Sequence, residues 1–203
     1  MKKKIFLLPI LILFFYLPSC SSHSSSVFIS PKFQKFKPET FAILPFNDAR
    51  SDKSYRAEAP LLLTDAFETA FMSLGHSVLE RRTIGKVLDE IKFSYQGNVD
   101  VDQLNEMGKM TNSDVVVLGF LRAFHPALYE NNNAPGKPTS CSTISFSVKA
   151  IHIKSGEILW KASVTKSSGG KSPFSAPCNY DLLRYVDQVA NETVSKINKK
   201  LSR

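Results

Sequence analysis

Asp114-Val115-Val116-Val117-Leu118-Gly119-Phe120 is the stretch around which the rest of this chain arranges itself. Val115 to Phe120 is continuously apolar and rich in β-branched residues. A run of strand length without alternation is the pattern of a central strand buried on both faces. Such a strand needs covering layers on both sides, so the flanking sequence should supply helices as well as further strands.

Downstream, residues 124–140 form a loop rich in Asn131, Asn132, Asn133, Pro135 and Pro138. Ile144, Phe146, Val148 and Ala150 then alternate with Ser145, Ser147 and Lys149, which predicts a strand with one wet face. Lys154-Ser155-Gly156-Glu157 reads as a turn, and Ile158 to Val164 pairs back as a hairpin. After a loop at 166–179, Leu182, Val186, Val189, Thr193, Ile197 and Leu201 line one side of a helix from about Asp181.

Upstream, Phe41-Ala42-Ile43-Leu44-Pro45-Phe46 reads as the first strand, followed by a polar loop at 47–58. Pro60 stands where a helix best tolerates it, and Gly75 suits a left-handed stop. Between them Leu62, Ala66, Ala70 and Leu74 recur with Leu63, Phe67 and Phe71 beside them. A short strand at Ser77–Glu80 follows. Ile84, Val87, Leu88 and Ile91 mark a second helix, and Asp100 with Gln103 has capping-box spacing for a third, running through Met110. The order β-α-β-α-α-β-β-β-α predicts an α/β fold: a mixed sheet with early parallel crossovers, a late antiparallel hairpin and flanking helices.

The N-terminus has a different character. Lys2, Lys3 and Lys4 precede an apolar run of 13 residues, Ile5 to Leu17, broken only by Pro9. That suits an export signal, whereas a spanning helix needs about 20 residues. Leu17-Pro18-Ser19-Cys20 resembles a bacterial lipobox, with Pro18 a departure from its usual small residue. The resemblance implies a lipid on Cys20, and Ser21 after it favours outer-membrane sorting; the alternative is an ordinary signal with an incidental cysteine. Residues 1–19 are thus expected as a signal peptide, 20–38 as the lipidated Cys and a short tether, and 39–203 as a single domain.

The net charge of +8 includes the three signal lysines, leaving +5 on the processed chain. No run of five like charges occurs, and nucleic-acid binding calls for a clustered basic face. Setting Cys20 aside leaves Cys141 and Cys178, an even pair in a compartment that permits disulfides. The alternative is two unpaired thiols. No Cys or His lies at zinc-ligand spacing beside either one, so no metal and no cofactor is expected.

Catalytic motifs are weak. Gly169-Gly170-Lys171-Ser172 looks like the tail of a phosphate loop, but Thr165 stands where that loop needs Gly and Pro173 follows at once. His23, His76, His125 and His152 do not cluster in sequence, and Asp65, Glu68, Asp89 and Glu90 have basic neighbours on helices. Asp48, Arg50, Asp52 and Lys53 lie in the loop after the first strand, a place where ligands bind in parallel sheets, although a polar loop is the preferred account of them.

One ordered series is more specific. Leu79-Glu80-Arg81, Val87-Leu88-Asp89-Glu90, Gly97, Asp100, Met107-Gly108-Lys109 and Asp114 to Gly119 together resemble the curli production assembly and transport component family. Ser113 departs from its usual Ala. The resemblance spans about residues 40–165 and speaks first to fold. It implies two roles. One is an oligomeric outer-membrane pore, which needs membrane hairpins of about 9–11 alternating residues per strand; neither long loop here has that composition. The other resembles the lipoprotein that activates a bifunctional penicillin-binding protein. The expected function is therefore a non-enzymatic outer-membrane lipoprotein facing the periplasm. It would act as a protein-binding adaptor or activator in envelope or cell-wall assembly, with a cell-wall synthase as one candidate partner. An oligomeric secretion component and a cell-wall-acting enzyme are the alternatives. Tyr129, Phe174 and Tyr180, on the long loops, are the candidate partner contacts.

Overall fold

The structure, a computed structural model, describes residues 24–33, 36, 38–91, 100–125, 128–129, 138–169 and 182–201. Their strands are β1 (Ser24–Ile29), β2 (Thr40–Ile43), β3 (Asn47–Asp48), β4 (Ser77–Val78), β5 (Val115–His125), β6 (Leu128–Tyr129), β7 (Pro138–Ser140), β8 (Thr143–His152) and β9 (Ile158–Ser167). Their helices are α1 (Ala59–Ser73), α2 (Arg81–Glu90), α3 (Val101–Thr111) and α4 (Leu182–Leu201).

Seven strands form one sheet in the order β1-β9-β8-β5-β2-β4, with β3 also on β5, and β6 and β7 form a separate small ladder. The pairs β2/β4, β2/β5 and β3/β5 are parallel; β5/β8, β8/β9 and β1/β9 are antiparallel. This is the expected mixed sheet. Val115, Val116, Val117 and Leu118 are all buried, as a doubly covered strand requires. Val115 and Val117 face the core shared with α1 and α4; Val116 and Leu118 face the core shared with α2 and α3.

Side-chain chemistry explains the local turns. Pro60 sits in the first turn of α1, and Gly75 after it has φ +85°, which only glycine adopts freely. Asp100 caps α3 by accepting from the Asp102 amide at 3.0 Å. Buried Thr64 on α1 donates to Pro60 O at 2.8 Å and accepts from the Phe46 amide at 2.9 Å, hooking the chain after β2 onto the helix. The Asp114 carboxylate accepts from the Glu39 and Thr40 amides at 3.0 and 3.1 Å, holding the start of β2 against the start of β5.

Three expectations change. The tether does not extend to residue 38: Ser24–Ile29 is an edge strand in register with β9, from Ser24 opposite Thr165 to Ile29 opposite Trp160. Its serines conceal it, because an edge strand with one solvated face is held by backbone bonds rather than by apolar side chains. The central strand does not end at Phe120 but continues to His125 through a bulge between Leu121 and Ala123. The short strand does not reach Glu80: β4 ends at Val78, Glu80 holds the N-cap position of α2, and Arg81 opens that helix and forms ion pairs with Asp65 and Glu68 on α1, the latter at 3.2 Å.

Candidate contact surface

The sheet gathers its connections at one end. β2 and β3 run parallel to β5, so they finish on the side where β5 reaches His125. There β8 begins at Thr143 opposite His125, and β9 ends at Ser167 opposite Thr143. The loop 49–58, the connection 126–142 and the connection 168–181 all leave from that end. So does the start of β1, since Ser24 pairs with Thr165. Cys20 therefore precedes this end of the sheet by four residues, no more than about 14 Å of extended chain.

The loop after β3 lies at this end. Arg50 is 4% exposed and holds it from inside. Its Nε and Nη2 donate to the two Asp48 carboxylate oxygens, each at 2.8 Å, a bidentate pair. Nη1 donates to Tyr55 O at 2.6 Å and Nη2 also to Arg56 O at 3.2 Å. The hydrogen bond from Arg50 keeps the Asp48 carboxyl below the ordinary carboxylate range. Arg56 adopts φ +53°, and the Tyr55 ring meets Phe124 at 5.8 Å. Asp52 accepts from the Ser54 hydroxyl and amide, and these bonds keep its carboxyl below the ordinary carboxylate range. Of the four residues considered as a ligand site, Asp48 and Arg50 thus form an internal brace in which Arg50 makes four bonds to protein acceptors, whereas Asp52 and Lys53 are exposed. Nothing in the sequence distinguished this brace from a solvated loop, because Arg50 meets carbonyls whose position depends on the fold.

At the other flank of the same end, Tyr185 on α4 donates to Lys166 O at 2.7 Å, and Lys166 pairs with Glu192. Burial pushes the Tyr185 phenol well above its ordinary value. These contacts fasten the end of β9 to the last helix.

Tyr129 lies in β6, where Leu128 pairs with Ser140 and Tyr129 with Pro138. Strands of two and three residues here are far shorter than a membrane hairpin needs. Cys141 is half-buried just before β8. Cys20, Phe174, Cys178 and Tyr180 lie outside the described residues, as does the whole signal segment.

The described histidines do not converge, and His23 lies outside the described residues. His125 and His152 occupy opposite ends of the β5/β8 ladder. His152 bonds Ser155 at 2.9 Å and stacks on Phe36, while His76 packs on Phe41 and Phe71. Among the described residues no three His, Cys, Asp or Glu side chains are grouped to hold a metal ion, and no helix is long and apolar enough to cross a membrane.

Among the described residues, no helix covers the other face of the sheet's outer half. Phe28 opposes Lys161, Lys161 opposes Lys149, Ser26 opposes Ser163, and Ser163 opposes Ser147 across β1, β9 and β8. Arg122 reaches the same face and donates to Ser147 Oγ at 3.3 Å.

No family model matches the sequence, and no curated protein matches it. Among solved structures, the chain is similar to the PelC dodecamer from Paraburkholderia phytofirmans, with TM-score 0.52 at 9% identity over 85% of this chain and 96% of that one. It is also similar to lipoprotein GNA1162 from Neisseria meningitidis, with TM-score 0.48 at 11% identity over 78% and 97% of the two chains. The LpoB C-terminal domain from Escherichia coli gives TM-score 0.43 at 13% identity over 68% and 93%. At 9% identity the PelC likeness is one of fold.

Proposed function

We propose that this chain is a non-enzymatic lipoprotein of the bacterial outer membrane, tied by a lipid on Cys20, which acts as a protein-binding adaptor or activator in envelope assembly. The observation that carries the reading is the convergence of three connections and the start of β1 on one end of the sheet. A rigid scaffold that presents its loops together is built for contact. The braced 49–58 loop supports the same reading, because a contact loop held in one shape loses less entropy on binding. Phe174, Tyr180 and Tyr129 belong to the same proposed surface. A Cys141–Cys178 disulfide, the even pair left once Cys20 is set aside, belongs to it as well.

The test is capture from envelope extract on the immobilised processed chain, competed by the free chain. A saturable, competed partner supports the adaptor, and loss of that partner on changing Tyr129 or Phe174 locates the surface. Recovery of no competed partner counts against it. Mass labelling of Cys20 with palmitate tests the anchor separately.

A second reading has one observation in its favour: PelC, which shares the fold, is described as a dodecamer. Light scattering of the purified chain decides. A discrete ring of many copies favours an assembly component, and a monomer at micromolar concentration removes it.

A further inference from the structure

The half of the sheet formed by β1, β9 and β8 is covered by α4 on one face and by no described element on the other. That open face has an unusual electrostatic arrangement. Lys149 and Lys161 stand directly opposite each other across the β8/β9 ladder. Like charges at directly opposed positions destabilise a sheet. Arg122 adds a third cation next to them through its bond to Ser147. The remaining strand positions on this face are hydroxyl-bearing, aromatic or otherwise uncharged; none carries a carboxylate to neutralise the cations. The Lys149 ammonium is held below its ordinary range by burial and by Lys161, so the repulsion registers in its titration.

Next to this cluster Phe28 is 59% exposed, at the position opposite Lys161 on the edge strand. Val27 and Ile29, its neighbours in β1, turn inward to the core, so the exposed ring lies on the cationic side. β1 begins four residues after Cys20.

We propose that this open sheet face lies against the anionic lipid surface to which the chain is tethered. Arg122, Lys149 and Lys161 would meet the headgroups, and Phe28 would enter the acyl boundary. The inference rests on the reading of Cys20 as the anchor. Charge complementarity selects the occupant: an anionic surface relieves the Lys149–Lys161 repulsion, and an exposed aromatic beside cations is the composition of an interfacial contact. Three residues between Cys20 and β1 bring the face within reach of the leaflet without a long linker. The loop end then points along the membrane, toward partners held in or on the same leaflet.

The experiment is vesicle co-sedimentation of the chain from residue 20 onward carrying Cys20→Ser, which retains every described contact and has no lipid acceptor. Its outcome is therefore independent of whether Cys20 is lipidated, which palmitate labelling decides. Vesicles of phosphatidylglycerol mixed with phosphatidylcholine are compared with phosphatidylcholine alone. Expected is binding to the anionic vesicles only, weakened by salt, and weakened about thirtyfold by Lys149→Gln with Lys161→Gln, from the usual contribution of each cation near such a surface. The control is Arg184→Gln with Lys199→Gln on α4, which covers the opposite face of the sheet; it removes the same charge from that side and should leave binding unchanged. The Lys149/Lys161 variant should also melt no lower than the parent, since it loses a repulsion. Equal loss in the two double variants, equal binding to neutral vesicles, or no binding to either kind overturns the proposal. Binding to an acidic polypeptide in place of vesicles overturns it in favour of a protein ligand.

Discussion

The phenyl ring of Phe46 occupies the space that a side chain at Gly119 would need: a Cβ built there overlaps three atoms of the ring. Phe46 cannot withdraw, because it is 4% exposed and packs on Phe67 and Phe146 with ring centroids 5.1 and 6.2 Å away. Gly119→Ala is therefore expected to lower stability by about 1–3 kcal/mol through overpacking, read as a shift of the urea midpoint. Phe46→Leu makes room at the cost of a smaller core side chain. The double variant should thus be more stable than the sum of the two changes predicts. Strict additivity would show that the ring moves freely and that the glycine has another role.

Arg50 gives a second prediction. Its guanidinium satisfies Asp48 and the carbonyls of Tyr55 and Arg56 at once. Arg50→Met leaves those acceptors without their donors and should cost about 3 kcal/mol. Arg50→Lys should recover only part, since an ammonium cannot reproduce the planar fork. The loop itself reports the change: trypsin should cut at Lys53 or Arg56 faster in both variants while the chain is still folded. Unchanged cleavage would mean that the backbone turn at Arg56, not the side chain, holds the loop.

These two sites show where the sequence was readable. The central strand, the four helices and the late hairpin follow from periodicity, because each buries a stripe whose spacing matches its geometry. Gly108 and Gly119 were visible as members of an ordered series, yet their reason was not. A Cβ on Gly108 would overlap Ile153, far along the chain, so both glycines mark close approaches that only the assembled sheet creates. β1 escaped for the opposite reason: Ser24, Ser25 and Ser26 have no apolar period, and their strand exists because β9 offers backbone partners. The convergence of the loops was equally hidden, since strand direction depends on pairing. The candidate contacts Phe174 and Tyr180, by comparison, remain expectations from sequence.

Stability should fall as the solution is acidified from about pH 7.5 to 5.5, and His76 should account for part of the loss. Burial beside Phe41 and Phe71 holds its imidazole below the ordinary histidine value. His152 is lowered too, again chiefly by burial. A ring whose folded value lies below its unfolded value of about 6.5 contributes stability that is complete above that value. The contribution is lost as pH falls through the folded value, because the unfolded chain takes up the proton more readily. His76→Phe keeps a ring but removes the proton, so its urea midpoint should change less over this interval. Comparison with the parent isolates His76 from Glu68, whose carboxyl is raised by burial and acts in the opposite sense. An identical pH profile in parent and variant would place the sensitivity elsewhere.

The proposed Cys141–Cys178 bond is tested by the pattern of its variants. It would close a loop of about 37 residues from the start of β8 to the start of α4, worth about 3–4 kcal/mol in the chain-entropy account. Cys141→Ser, Cys178→Ser and the double variant should then lose the same stability, because each breaks the same bond. In a domain of this size that is about 10 °C in melting temperature. Intact mass under oxidising conditions should be short of two hydrogens in the parent and not in the variants. Two independent thiols predict the other pattern: small, additive losses and no mass difference. The bond would join the β8 and α4 ends of the connections that leave the loop-bearing end of the sheet. Its reduction should therefore weaken capture of a partner more than it alters the far-ultraviolet spectrum of the sheet and helices.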